Sequence, residues 1–349
     1  MVKDLTHSDL FSLVRGMSFV NSGASRPRVM HQKTTSSHPN PSVQIKELEE
    51  FSPEDLIVTA FEFGPCNTLE MDKFLILHKA LKALEQKLGQ KVAGLYFSHH
   101  GSESALIDTA FLSNLPLADI DITGGLVFPK TEINLLNLYG IANKFWPFVV
   151  ATDNNEIITF EGLLPHSRCD EIFETCASLS KDNNIFVLGG ALRVKDLVKT
   201  PADNKGLSKY MRYGGLPDLN DIIKNFDIRE SFSGKVDTVK ILNSEPYYEA
   251  IASLTMASGH KVKLLIKNAA LYILDEQDNI LASPPERIFL FKDSVFLGFT
   301  NISDIAPEQT LNVMVINPEK AWQESEAAQY LNEHKLDSLL NRGRLLLLG

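Results

Sequence analysis

Cysteine is scarce in this chain. There are three in 349 residues, Cys66, Cys169 and Cys176, an odd number with no Cys-x-x-Cys pair. That argues against a disulfide scaffold and a cysteine-based structural zinc site, and for a reducing compartment, read as the cytoplasm. Long apolar runs are missing too: none approaches the roughly 20 residues that cross a bilayer. The run Leu345 to Leu348 is far too short and reads as cover for a neighbouring surface or a partner subunit, so a homo-oligomer is expected. The N-terminal MVKDLTHSDLFSLVRGM has early acids and no continuous apolar core, so it is not read as a signal peptide. Basic tracts are absent beyond Arg26 and Arg28, and with a net charge of −10 and a pI near 5.4 neither nucleic acid nor an anionic membrane is an expected partner. There is no His-x-His, HExxH or GxxxxGK[ST] spacing, so no cofactor is assigned and a divalent metal lacks support from ligand spacing. Internal repeats and low-complexity segments are also missing.

What is present is an ordinary globular composition, 44% hydrophobic and 22% charged, at a length that fits about two domains. Residues 4–20 read as a helix capped by Thr6, with Leu10, Phe11, Leu13, Val14 and Met17 at helical spacing. Asn21 to Pro41 is a polar loop without a period, either plain surface or an active-site loop. Leu56 to Phe61 reads as a strand, Leu69 to Leu88 as a helix stopped by Gly89, Val92 to Phe97 as a strand and Ser104 to Leu112 as a helix. Asn134 to Ile141 looks helical, and Phe148 to Thr152 with Ile157 to Phe160 form a hairpin around Asp153-Asn154-Asn155. Arg168 to Ser180 is a helix. Ile185 to Leu188 is a buried strand running into a Gly189-Gly190 turn, followed by helices over Ala191 to Val198 and Gly206 to Tyr213.

From about Phe226 the texture changes to short β-type runs between Lys235 and Ile316, separated by turn signals. Ala321 to Leu340 returns to helix. The fold class expected is α/β: an N-terminal α/β region over residues 1–225 with a mixed or parallel sheet, then a smaller β-rich domain with a C-terminal helix over residues 226–349.

The most informative stretch is YFSHHGSESALIDTAFLSNLPLADIDITGGLVFP, Tyr96 to Pro129. Two candidate strands each empty into polar, titratable residues. In open α/β sheets ligands bind outside the carboxyl ends of the strands, so the site is expected here. Candidate catalytic residues are His99, His100, Glu103, Asp119 and Asp121. Candidate substrate-binding residues are Gly101, Ser102, Ser104, Thr123, Gly124, Gly125 and Lys195. Histidine titrates near neutrality and shuttles protons, although one of the pair is as well read as a plain surface or core residue. Asp119 and Asp121 are read as alternating along the strand, with side chains on opposite faces. Each serves either the site or a cap on the following turn or helix. Ser102 or Ser104 caps a helix whose N-terminus also suits an anion or a carbonyl oxygen. Cys66 is a possible nucleophile but reads better as a buried structural cysteine.

From the helix segment LEQKLGQKV through Gly101-Ser102-Glu103-Ser104 to LPLADIDITGGLVFP and NLYGI, the chain resembles the S-methyl thiohydantoin desulfurase-like family, whose genes often accompany hydantoinase and oxoprolinase subunits. The family's run close to LPVVDADGMGRAFPE matches LPLADIDITGGLVFP with one residue inserted before the second Gly. Its acids fall on Asp119 and Asp121 and its Phe-Pro on Phe128 and Pro129. The stretch from Gly190 to Lys195 looks like its G-A-Q-V-K segment, and Gly206-Leu207-Ser208 like its G-T-L-S segment. Ile266-Lys267-Asn268 and Pro285-Glu286-Arg287-Ile288 look like its N-E and P-D-L-I positions. The resemblance implies hydrolysis of a cyclic amide or S-methyl thiohydantoin-like small molecule. Water would attack a ring carbon, with a carboxylate or histidine as base and backbone N–H groups holding the developing charge.

The chain departs from the family's pattern in several places. The glycine-rich loop is Asn21 to Pro27 here, with one glycine; the family's Arg is Leu126, its Glu is Lys130, and its E-I-G-G-x-N-S strand end is Ser98 to Ser104. These replacements carry the alternative reading, a catalytically inactive relative acting as a small-molecule-binding or subunit-interaction protein.

Overall fold

Thr6 stops a short strand and starts a helix. Its hydroxyl accepts from the Asp9 N–H at 3.2 Å, and Asp9 Oδ2 accepts from the Thr6 N–H at 2.9 Å. This reciprocal cap satisfies two donors that a helix N-terminus otherwise leaves open. The computed structural model describes residues 3–20, 43–63, 73–98, 103–123, 147–152, 154–161, 169–180, 185–199, 205–243, 248–267, 269–293, 295–297, 302–323 and 329. In it β1 (Lys3–Leu5) precedes α1 (His7–Val20) and pairs antiparallel with β2 (Val43–Lys46). The helix expected over residues 4–20 thus gives its start to a sheet edge, and β2 follows the loop expected over Asn21 to Pro41, which lies outside the described residues.

The chain divides into two compact units. The first holds the described residues up to Gly215 apart from residues 18–20, and the second the described residues from Leu216. The first unit is built on β3 (Leu56–Phe63), α2 (Lys73–Leu88), β4 (Val92–Phe97), α3 (Glu103–Ser113), β5 (Leu117–Asp121), β6 (Phe148–Thr152), β7 (Ile157–Phe160), α4 (Cys169–Leu179), β8 (Ile185–Arg193), α5 (Val194–Leu197) and α6 (Gly206–Gly214). Its mixed sheet runs β1-β2-β5-β4-β3-β8-β6-β7. The middle strands β2, β5, β4 and β3 are mutually parallel, and β8, β6 and β7 continue the sheet antiparallel. Helical crossovers link β3 to β4 and β4 to β5, as neighbouring parallel strands require. β5 and β6 are buried along their whole length; this suits the apolar run of β6, whereas β5 carries Asp119 and Asp121 into the interior. Gly89, at φ +64, ends α2 as expected.

The Gly189-Gly190 turn expected from the sequence is not a turn. β8 runs through both residues, and Gly190 takes φ +60 where the pairing with β3 slips between Ile57 and Thr59. A glycine bulge absorbs the extra residue and keeps the strand in the sheet. The helix expected over Ala191 to Val198 shrinks to α5, because Leu192 and Arg193 are still paired with Ile57 and Leu56. Phe173 of α4 packs edge-to-face on Phe61 at 5.4 Å and Phe148 at 5.6 Å between ring centres. Helices α1 and α6 meet backbone to backbone. A methyl at Gly16 would lie 1.7 Å from the Tyr210 carbonyl oxygen, and one at Gly214 would lie 1.7 Å from that of Ser12. Arg15 Nη1 donates to the Gly214 carbonyl at 3.1 Å across the same crossing.

The second unit opens with the short α7 (Leu219–Ile223), capped by the Asp218 carboxylate, which accepts from the Asp221 N–H at 2.9 Å. It then becomes all β, as its turn-separated runs lead one to expect. The strands are β9 (Ile228–Asn243), β10 (Glu249–Met256), β11 (Lys261–Lys267), β12 (Ala270–Leu274), β13 (Ile280–Ala282), β14 (Arg287–Lys292), β15 (Val295–Leu297) and β16 (Thr310–Ile316). They form one antiparallel sheet in the order β13-β12-β11-β10-β9-β16-β14-β15. The sheet curls until β12 packs against β14, enclosing Val236, Leu264, Ile273, Leu290 and Val313. Of the helix expected over Ala321 to Leu340, nearly all lies outside the described residues; its start forms a single 3-10 turn, Lys320–Trp322.

Candidate functional site

Because β3, β4 and β5 are parallel, their carboxyl ends share one edge of the sheet. Phe97, the last residue of β4, is paired with Asp121, the last residue of β5. Both β5 acids are buried, Asp119 at 3% and Asp121 at 1% exposure. Burying carboxylates is costly unless hydrogen bonds replace their water, and here α6 supplies them. Asp119 Oδ1 accepts from the Ser208 N–H at 2.9 Å, and its Oδ2 accepts from the Ser208 hydroxyl. Asp121 Oδ2 accepts from the Tyr210 hydroxyl, while its Oδ1 accepts from the Thr123 N–H at 2.7 Å and the Thr123 hydroxyl at 2.6 Å.

The two acids do different jobs for the backbone. Asp119 caps α6 from another element, since Ser208 is in that helix's first turn and its N–H has no partner within the helix. Asp121 folds its carboxylate onto the N–H two residues on, the local turn that aspartate favours. The helix comes close enough for this because residue 206 is glycine. A Cβ there would lie 2.6 Å from Asp121 Cβ and 2.8 Å from its backbone nitrogen. Phe97 and Tyr210 add an edge-to-face contact at 6.5 Å between centroids.

This overturns the expectation that Asp119 and Asp121 point to opposite faces. The repeat of a strand is two residues, so residues i and i+2 share a face. Both acids accordingly reach the same helix.

A second polar group joins β3 to the end of β4. Ser98 follows β4, Thr59 sits in β3, and their hydroxyls are 2.5 Å apart with both residues buried. Beside them the Tyr96 hydroxyl donates to the Gly190 carbonyl at 2.6 Å, in the bulge of β8. Burial pushes the Tyr96 phenol well above its ordinary range, so it stays a neutral donor. A serine after an apolar run was the available signal for Ser98. Nothing in the sequence marked Thr59, whose role depends on the strand beside it.

Of the expected site residues, Asp119, Asp121 and Thr123 come together at the end of β5. Lys195 does not join them. Its Nζ donates to Glu54 Oε1 at 2.6 Å, next to Arg193, which pairs with Leu56 at the opposite edge, where β3 begins. The hydrogen bond from Lys195 lowers the Glu54 pKa. The reason for the misplacement is β8 itself: by running on through the two glycines it carries Lys195 to the far edge. Glu103 and Ser104 lie in the first turn of α3, but their side chains lie outside the described residues, as do His99, His100, Gly101, Ser102, Gly124 and Gly125. Cys66 also lies outside them. Cys176 is buried, and burial pushes its thiol pKa up, away from nucleophilic chemistry.

Among the described residues no group of three or more His, Cys, Asp or Glu side chains is placed to hold a metal, and no helix is long and apolar enough to cross a membrane. No protein-family model, curated protein or solved structure matches the chain.

Proposed function

We propose that this protein is a hydrolase of a cyclic amide or S-methyl thiohydantoin-like small molecule, with its site at the carboxyl edge of β3, β4 and β5. One observation carries the reading. Two segments far apart in sequence, LPLADIDITGG and Gly206-Leu207-Ser208, both resemble the same family's pattern, and they meet through the hydrogen bonds from Ser208 to Asp119. Asp119 and Asp121 are occupied in holding α6 and Thr123, so they are assigned to positioning. The base that activates water is then His99, His100 or Glu103, and backbone N–H groups of Gly101–Ser102 or Gly124–Gly125 hold the charge that develops on the oxygen of the attacked carbonyl. The working form is a cytoplasmic homo-oligomer.

The second reading is a binding or subunit-interaction protein without catalysis. The observation in its favour is the same occupancy: the carboxylates that a family active site would use already accept hydrogen bonds from Ser208, Tyr210 and Thr123.

A panel of hydantoins and S-methyl thiohydantoins separates the two. Turnover by the purified chain that disappears in His100→Ala, with the fold intact by circular dichroism, is the expected result. Thermal stabilisation by the same compounds without turnover would favour the binding reading. No turnover and no stabilisation would remove both.

A further inference from the structure

We infer that Ser98 is a ligand-binding residue that donates its hydroxyl proton to a carbonyl-type oxygen at the end of β4, with Thr59 as the positioning residue behind it. The inference rests on the location proposed above for the site and adds a contact to it.

The argument is a count of protons. Serine and threonine each carry one O–H donor and two acceptor lone pairs. The Thr59–Ser98 hydrogen bond, 2.5 Å long, uses one donor and one lone pair. One proton of the pair is left over. A buried O–H with no acceptor is destabilising, so a surplus proton in a core calls for a partner. Elsewhere in this chain hydroxyls solve the problem locally. In helices Thr109 donates to the Ala105 carbonyl, Ser113 to that of Thr109, and Thr175 to that of Glu171. That route needs a carbonyl one helical turn back. Thr59 stands in a strand and Ser98 directly follows one, so neither has a helical carbonyl one turn back to donate to.

Exposure decides which proton is spare. Thr59 is 0% exposed and Ser98 6%. Either oxygen can donate in this pair; we assign the donation to Thr59, the more enclosed of the two, which leaves the Ser98 proton as the spare one, at the edge where parallel strands present their ligand contacts. The group it fits is a neutral acceptor such as an amide or urea oxygen, because two buried hydroxyls bring no charge to balance an anion.

The test is calorimetric titration of the intact chain with hydantoin and with its 2-thio analogue. Ser98→Ala and the near-isosteric Thr59→Val are each expected to weaken hydantoin binding by roughly 3- to 10-fold, while Thr59→Ser, which keeps the hydroxyl, binds like the parent. The 2-thio analogue is expected to lose less on Ser98→Ala if the 2-oxygen is the acceptor, since sulfur accepts hydrogen bonds weakly. Parent-like hydantoin binding by both Ser98→Ala and Thr59→Val overturns this inference and leaves the hydrolase reading intact. Weakened binding by Thr59→Ser to the level of Thr59→Val also overturns it, because the hydroxyl would then not be what matters. Binding that follows the expected pattern without turnover supports the contact and removes the hydrolase reading. No hydantoin binding by the parent chain overturns both.

Discussion

Ser208 gives both of its donors to one carboxylate: its N–H reaches Asp119 Oδ1 at 2.9 Å and its hydroxyl reaches Asp119 Oδ2. Two residues further on, Tyr210 donates to Asp121, two residues beyond Asp119. A strand repeat of two is thereby matched to positions 208 and 210 at a helix start, and the helix is held by hydrogen bonds to two buried carboxylates, from the buried Tyr210 and the partly buried Ser208.

The expected consequence is strong coupling across this contact. Asp121→Ala leaves the Tyr210 hydroxyl and the Thr123 N–H short of an acceptor in a buried place and should cost about 1–3 kcal/mol. In a double-mutant cycle with Tyr210→Phe, measured by urea denaturation, a coupling energy of about 0.5–3 kcal/mol is expected. Additivity of the two single changes would mean that this hydrogen bond contributes nothing.

The crossing of α1 and α6 gives the opposite sign to the usual helix rule. Replacing glycine by alanine in an exposed helix interior normally stabilises by about 1 kcal/mol. Here the added methyl at Gly16 would lie 1.7 Å from the Tyr210 carbonyl oxygen, which is backbone and cannot rotate aside. Gly16→Ala and Gly214→Ala are each expected to destabilise by about 1–3 kcal/mol in thermal or denaturant melts. Stabilisation by either change would contradict the close crossing.

The cap on α1 predicts an acid-sensitive contribution. Partial burial raises the Asp9 pKa, but hydrogen bonds from Lys3 and Thr6 outweigh it, and the carboxyl ends below its ordinary 3.8. A carboxyl depressed in the folded state adds stability that is complete above its unfolded pKa and is lost as pH falls through the folded one. Between about pH 5 and pH 2, Asp9→Asn should therefore flatten the loss of stability on acidification. At neutral pH, Thr6→Ala should cost about 1 kcal/mol. An acid melt of Asp9→Asn that tracks the parent through this range would show that the cap carries no pH dependence.

Much of the fold is legible from residue order. Thr6 reads as a cap and is one; Gly89 reads as a helix stop and takes the positive φ that role needs. The hairpin of β6 and β7 closes through Asn155, at φ +63, and the antiparallel sheet beyond Phe226 follows from short runs between turns. These features are local: a few neighbouring residues set the backbone preference, and packing agrees with it. What failed was also local in appearance. Gly189-Gly190 reads as a turn by its residues, yet pairing on both sides, with β3 and β6, holds it in a strand.

The sequence alone determined that the end of β5 would carry polar residues, Asp119 and Asp121. Only the tertiary structure decided what those acids do. A buried carboxylate takes whichever donors the fold brings within reach. Here they come from Ser208 and Tyr210, 89 residues along the chain. The pairing of Thr59 with Ser98 and the removal of Lys195 to the far edge have the same origin. Each depends on which strands lie side by side, and strand order is set by burial across the whole sheet rather than by any stretch of neighbouring residues.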